Sequence, residues 1–192
     1  MTTMTLPAQF PRLETERLIL RELTLDDKEA VFQNFSDDET IEFIMEPMTS
    51  LKQAEDIIQE FIDGFKQGKS IFWAVVHKDG LTFIGTCSYE SFSLGDFRGE
   101  IGYDLSKGYW GQGLMTEVVQ AIINYGFECM GLNRIEAHTF PQNTRSISLL
   151  RRLHFQEEGT FRQNSYFKGK FWDEVFFSLL KEDWSRQQIQ NG

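Results

Sequence analysis

Residues Tyr109–Thr116 read YWGQGLMT and stand between a β-prone run and the start of an apolar helix. Gly111 and Gly113 remove side chains at two positions where backbone can then approach a ligand closely. The helix that follows is expected over about Gly113–Met130, with Leu114, Val118, Ala121, Ile122, Tyr125 and Cys129 on one face. Its first turn presents unpaired N–H groups and the positive end of the helix dipole, an arrangement that holds anions without a lysine. The loop is neither a Walker loop, since no Gly-Lys-Ser/Thr follows, nor the GxGxxG of a dinucleotide-binding turn. Two glycines at a helix start are equally compatible with a plain tight connection.

The flanking sequence supplies the frame. Arg17–Glu22 is a short β-prone run, Thr24 an N-cap for a helix running to about Ser36, and Ser50 the cap of a second helix ended near Gly68. From Ser70 the period changes to that of strands. Ile71–His77 and Leu81–Tyr89 flank an Asp79-Gly80 turn, and Arg98–Leu105 forms a third run. After the glycine loop and its helix come a strand at Arg134–Phe140, a helix at Asn143–Leu153, and strands at Gln156–Phe167 and Asp173–Leu180. The expected class is α/β (α+β): a mixed, mostly antiparallel sheet of six to seven strands flanked by about four helices. The 192 residues, 41% apolar and 25% charged, suit one domain spanning 1–192.

Charge narrows the function. The net charge of −10 argues against a nucleic-acid binder. Between Glu22 and Asp63 thirteen acidic residues face only Lys28 and Lys52, whereas Ser106–Arg152 is mildly basic. That asymmetry fits an anionic ligand on the basic stretch and a cationic one near the acidic stretch, although acidic helix faces are usually just solvated. Two cysteines, no membrane-length apolar run and no signal-peptide pattern point to a cytoplasmic protein. His77, His138 and His154 lack metal-ligand spacing, so no metal is expected.

Asn143–Phe155, NTRSISLLRRLHF, raises the glycine loop above a weak signal. Together the two elements resemble the GNAT superfamily of acetyltransferases. LETERLILREL, EIGYDL, GYWGQGLMTEV and GKFWDEVFFSLL resemble its RimJ/RimL-like branch, over about Leu13–Trp184. The resemblance implies acetyl-CoA as co-substrate, its pyrophosphate bound by backbone at Gly111, Gln112, Gly113, Leu114, Met115 and Thr116. It also implies a sheet splayed between the strand through Tyr103 and Leu105 and the strand at Arg134–Phe140, with pantetheine in the gap. Asn143 and Ser146 would meet the pantetheine or thioester end, and Arg151 or Arg152 the ADP phosphates. Departures from the family pattern are Trp110, Met115, Leu150 in place of the common general-acid tyrosine, and His154 in place of glycine at a left-handed position.

The implied chemistry is attack of an amine on the thioester, and a base must take the ammonium proton. Glu100 is the expected base, its pKa raised by desolvation, and Ser146 the expected proton relay to the thiolate. A strand-edge carboxylate facing water and a serine bonding its own helix backbone are the alternatives at those positions. The acceptor is read as a protein or peptide N-terminus. A small cationic amine and a catalytically silent acyl-CoA-binding domain stand as alternatives, and the protein is expected to be a monomer or homodimer. Phe61, Phe65 and Phe72 are core residues or acceptor-pocket walls.

Overall fold

The computed structural model describes residues 6–191. Its elements, in chain order, are β1 (Leu13–Glu14), β2 (Leu18–Glu22), α1 (Lys28–Phe35), α2 (Leu51–Lys66), β3 (Ile71–His77), β4 (Thr82–Ser93), β5 (Arg98–Leu105), α3 (Leu114–Glu128), β6 (Arg134–Thr139), α4 (Thr144–Arg152), β7 (Gln156–Phe167), β8 (Lys170–Leu180) and α5 (Lys181–Asn191). The strands form one sheet in the order β1-β2-β3-β4-β5-β6-β8-β7, antiparallel throughout except for β5–β6. The architecture is the expected mixed α/β fold, with eight strands among the described residues rather than six to seven and five helices rather than about four. β1 is two residues long, too short for any periodicity to show. α5 has no apolar stripe; it docks through Trp184, which is buried against Phe127 and donates its indole N–H to Asn124 Oδ1 at 3.1 Å.

Local chemistry accounts for the element ends. Ser50 caps α2 by accepting the Gln53 N–H, and Gly68, at φ +66°, turns the chain out of that helix. Thr24 begins a single 3₁₀ turn before α1, its N–H donated to Asp27 Oδ2 at 2.9 Å. His154 takes φ +63°, the left-handed conformation expected after α4.

Two cores lie on opposite faces of the sheet. Trp73, Cys87, Tyr89 and Ile101 pack under α3 and α4 on one face. Ala74 and Val76 pack with Val31, Phe35, Ala54 and Ile58 of α1 and α2 on the other. Alternation along β3 sends successive side chains to each.

β5 and β6 pair only at Arg98↔Arg134, Gly99↔Ile135 and Glu100↔Glu136. Beyond Glu100 they diverge, while β6 stays paired to β8 through Thr139. This is the splay expected between the two strands. At the same level β4 carries an irregularity: Tyr89 pairs Ile101, but Ser91 pairs Glu100, leaving Glu90 as the extra residue of a bulge.

α3 is seated by Tyr89, whose buried hydroxyl donates to the Ile122 carbonyl at 2.9 Å. A Cβ at Gly126 would collide with that hydroxyl. Gly126→Ala is therefore expected to destabilise the fold by about 1–3 kcal/mol in denaturant titration, despite alanine's better helix propensity. Adding Tyr89→Phe should recover part of the loss; no loss in the single variant would refute the seating.

Candidate active site

The gap between β5 and β6 opens into a cavity of about 830 Å³ that runs through the sheet from the α3–α4 side to the α1–α2 side. On the α3–α4 side its wall includes Tyr103, Leu105, Gly111, Gly113, Leu114, Met115, Thr116, Asn143 and Ser146. Nine of the residues singled out in the sequence are thus brought together. Gly111 and Gly113 have φ of +73° and +76°, the left-handed region that glycine enters without strain. Gly113 is the N-cap of α3, so the first N–H groups of that helix face the loop.

The loop is clamped from behind. Glu117, in the first turn of α3, accepts the Arg17 N–H at 2.9 Å and Arg17 Nε at 2.8 Å, and also the Thr15 hydroxyl. Arg17 Nη1 in turn donates to the Gln112 carbonyl at 3.0 Å. Burial works against the Glu117 charge, but these donors outweigh it and hold its carboxyl below the usual range. Gln112 is consequently turned to Arg17 and, through its amide, to the Gly108 carbonyl, and does not form part of the wall.

α4 is capped by Asn143, whose Oδ1 accepts the Ser146 N–H at 3.2 Å while its Nδ2 donates to Thr139 Oγ1 at 3.0 Å. The cap thereby ties α4 to the diverging end of β6. Ser146 Oγ lies 2.8 Å from Tyr103 Oη, a hydrogen bond that bridges the gap from α4 to β5. Burial pushes the Tyr103 phenol up to about 12, against the effect of the serine. Leu150 is fully buried in the core under α4. Trp110 donates its indole N–H to the Leu105 carbonyl at 2.6 Å, and Arg145 stacks 3.7 Å above its ring. Arg145 and Arg152 line the cavity. Arg151 does not: it points to Glu157, 2.7 Å away and exposed.

On the α1–α2 side the acidic residues form a cluster. Glu100 is joined to His138, Nδ1 donating to Oε1 at 2.5 Å, and to Ser91 Oγ at 3.2 Å. These partners hold the Glu100 carboxyl below its ordinary value, the reverse of the expected rise. The expectation considered burial alone, and the sequence held no sign that His138 would arrive beside it. His138 is itself raised, chiefly by Glu100. Glu90, which the sequence reading did not single out, lines the cavity. Its carboxyl lies over Gly102, where a Cβ would collide with it, and it is pushed upward by desolvation and by the charge of Glu100. The glycine of EIGYDL was the available signal, legible only once β4 is known to lie alongside.

Deeper in the wall, buried Asp104 accepts from Asn34 Nδ2 at 2.5 Å, from the Thr86 N–H at 3.2 Å and from the Thr86 hydroxyl. Burial nevertheless pushes its pKa up to about 6. Phe61 and Phe72 line this side, whereas Phe65 packs with Phe10 against the other core. Among the described residues no group of three or more His, Cys, Asp or Glu has a metal-holding arrangement, and no helix is long and apolar enough to cross a membrane.

Asp104 gives a pH signature. The folded protein keeps this proton up to about pH 6, whereas an unfolded aspartate loses it near pH 4. Native chains bind more protons in that window, so this group's contribution to stability falls as pH rises from about 4 to about 6. Denaturant titrations at pH 4.5 and 6.5 should show the wild type losing stability relative to Asp104→Asn at the higher pH. A constant difference would refute the shift.

The comparisons with known proteins agree with this geometry. The family model described as an acetyltransferase (GNAT) domain matches residues 17–156. The chain is 41% identical over 174 residues to an N-acetyltransferase of Bacillus licheniformis called p20, spanning 90% of this chain and 98% of that protein. It is 32% identical over 130 residues to the [ribosomal protein uS5]-alanine N-acetyltransferase of Escherichia coli, spanning 67% of this chain and 66% of that one. RimL, a ribosomal L7/L12 α-N-protein acetyltransferase solved in complex with coenzyme A, shares the fold at a TM-score of 0.82 and 20% identity, over 90% of this chain and 99% of that one. With the family match extending over most of a chain whose sheet splits beside the glycine loop, this protein belongs to the GNAT acetyltransferases and is an N-acetyltransferase.

Proposed function

We propose that the protein transfers an acetyl group from acetyl-CoA to the amino terminus of a protein or peptide, by direct attack of the amine on the thioester. The observation that carries the reading is the β5–β6 gap, flanked on one side by the N-terminus of α3 and on the other by Asn143 and Ser146. In this reading the N–H groups behind Gly111 and Gly113 hold the pyrophosphate, and Arg145 and Arg152 approach the remaining phosphates. The inner edges of β5 and β6 beyond Glu100 offer backbone groups to a pantetheine arm laid between them like a strand. The relatives named for ribosomal-protein alanine acetylation support an N-terminal amine as the acceptor. With acetyl-CoA and such an acceptor as substrates, the protein acts in the cytoplasm in this reading.

Glu90 takes the proton from the attacking ammonium, because it lines the cavity and its carboxyl is raised above its ordinary value. Glu100 shares the cluster but is tied to His138. As the nitrogen–carbon bond forms the nitrogen sheds its second proton to solvent, and as the carbon–sulfur bond breaks the departing thiolate takes a proton from Tyr103 by way of Ser146. That phenol does the work for which Leu150 has no group. Solvent then restores the Tyr103 proton. A small cationic amine is the second reading, favoured by Glu39, Glu90 and Asp104 in the acceptor-side wall.

Mass spectrometry after incubation with acetyl-CoA and a pool of Ala- and Ser-initiated peptides, polyamines and aminoglycosides should show acetyl-peptides. Products confined to the polyamines or aminoglycosides would select the second reading. Gly113→Val, which forces a β-branched residue to φ +76°, should raise the acetyl-CoA Kd at least about tenfold in calorimetry. Unchanged affinity would overturn the loop assignment.

Glu90→Gln is expected to lower kcat about a hundredfold or more with acetyl-CoA affinity retained, and Glu100→Gln to lower it less. The reverse order would return the base to Glu100. Tyr103→Phe and Ser146→Ala should each lower kcat, and the double variant should be no worse than the more damaged single one, as for two groups acting as a unit. Additive losses would separate them.

A further inference from the structure

The acceptor-side wall carries more apolar surface than an alanine or serine terminus needs. Phe35, Phe43, Met45, Ile57, Phe61 and Phe72 converge on it from the end of α1, the 37–48 segment, α2 and β3. Phe61 and Phe72 lie parallel, their ring centroids 3.8 Å apart with 6° between planes, so they form one fixed aromatic slab. Apolar surface of this kind gains free energy when a ligand displaces water from it, and a few polar groups then fix the ligand's orientation.

The sheet sets the distance from slab to charge. Phe72 on β3 is the register partner of Ser88 on β4, and Ser88 that of Gly102 on β5, the residue over which the Glu90 carboxylate lies. Two inter-strand steps, roughly 10 Å, separate the backbone of Phe72 from that of Gly102. A ring packed on the slab and an ammonium paired with Glu90 each take up about 3–5 Å of such a span, so the two lie within a few ångströms of each other.

From this placement we infer that the acceptor is a primary amine with an aromatic ring close to its nitrogen, the ring seated on Phe61 and Phe72 and the amine against Glu90. The inference rests on the acetyl-transfer reading of the same cavity and adds the acceptor's side group. It holds whether the amine is the terminus of a peptide whose first residue is aromatic or a free arylalkylamine.

The test uses the full chain, acetyl-CoA and two matched pairs of acceptors. One pair is Phe-Gly-Ser-amide and Ala-Gly-Ser-amide; the other is phenethylamine and n-propylamine. The aromatic member of whichever pair is acetylated should be favoured at least about tenfold in kcat/KM. Phe61→Leu and Phe72→Leu, each checked for an intact thermal transition, should reduce that ratio toward one. A wild-type ratio near one overturns the inference even if peptides are good substrates, in which case the peptide reading stands. A strong preference within the free-amine pair, with neither peptide modified, upholds the inference and overturns the peptide reading. A ratio that survives both variants removes the slab from recognition. No acetylation of any of the four by protein that binds acetyl-CoA overturns the inference.

Discussion

Everything at the site follows from the separation of two parallel strands after three residue pairs. β5 and β6 are joined at Arg98–Glu100 and Arg134–Glu136, and then part. A strand edge without a neighbour presents N–H and C=O groups that require partners. In a closed sheet those groups would be consumed internally; here they line a passage between the two faces of the sheet. The passage lets a ligand held on the α3–α4 face meet one held on the α1–α2 face, without either helical layer having to open.

The split is maintained by contacts that bridge it rather than by the strands themselves. Asn143 fastens α4 to Thr139 at the end of β6, and Trp110 fastens the glycine loop to Leu105 at the end of β5. Tyr103 and Ser146 meet across the middle. Arg17, in the turn between β1 and β2, pairs with Glu117 of α3 and holds the Gln112 carbonyl, so the loop and the N-terminus of α3 are braced together. A site built in this way is positioned by rigid elements, which suits a reaction between two bound molecules whose reacting atoms must be held in register.

The bulge at Glu90 works with the split. It occurs where the β5–β6 pairing ends, and it brings Glu90 and Ser91 of β4 toward Glu100 and His138. Carboxylates in such proximity resist ionising together, and a histidine between them settles the charge unequally. Glu100 keeps the proton partner and a lowered pKa, whereas Glu90 keeps the cavity and a raised one. The division of labour between the two comes from a single extra residue in one strand.

The sequence by itself determined most of the elements and the α3–α4 side of the cavity. The periodicity of Ile71–His77 and Arg98–Leu105 matches β3 and β5, because both strands alternate between two packed faces. Gly111, Gly113, Asn143 and Ser146 were legible because their roles are local: a left-handed turn, a helix start and a helix cap leave signatures within a few residues. Only the tertiary structure decided the α1–α2 side. Glu90 owes its place to a bulge and to Gly102 on the next strand, and His138 reaches Glu100 across 38 positions of chain. Arg151 and Gln112 were drawn away by Glu157 and Arg17, partners that no local pattern announces. Local steric preferences are written in short stretches of chain, whereas the pKa of a carboxylate depends on whichever charges the fold brings beside it.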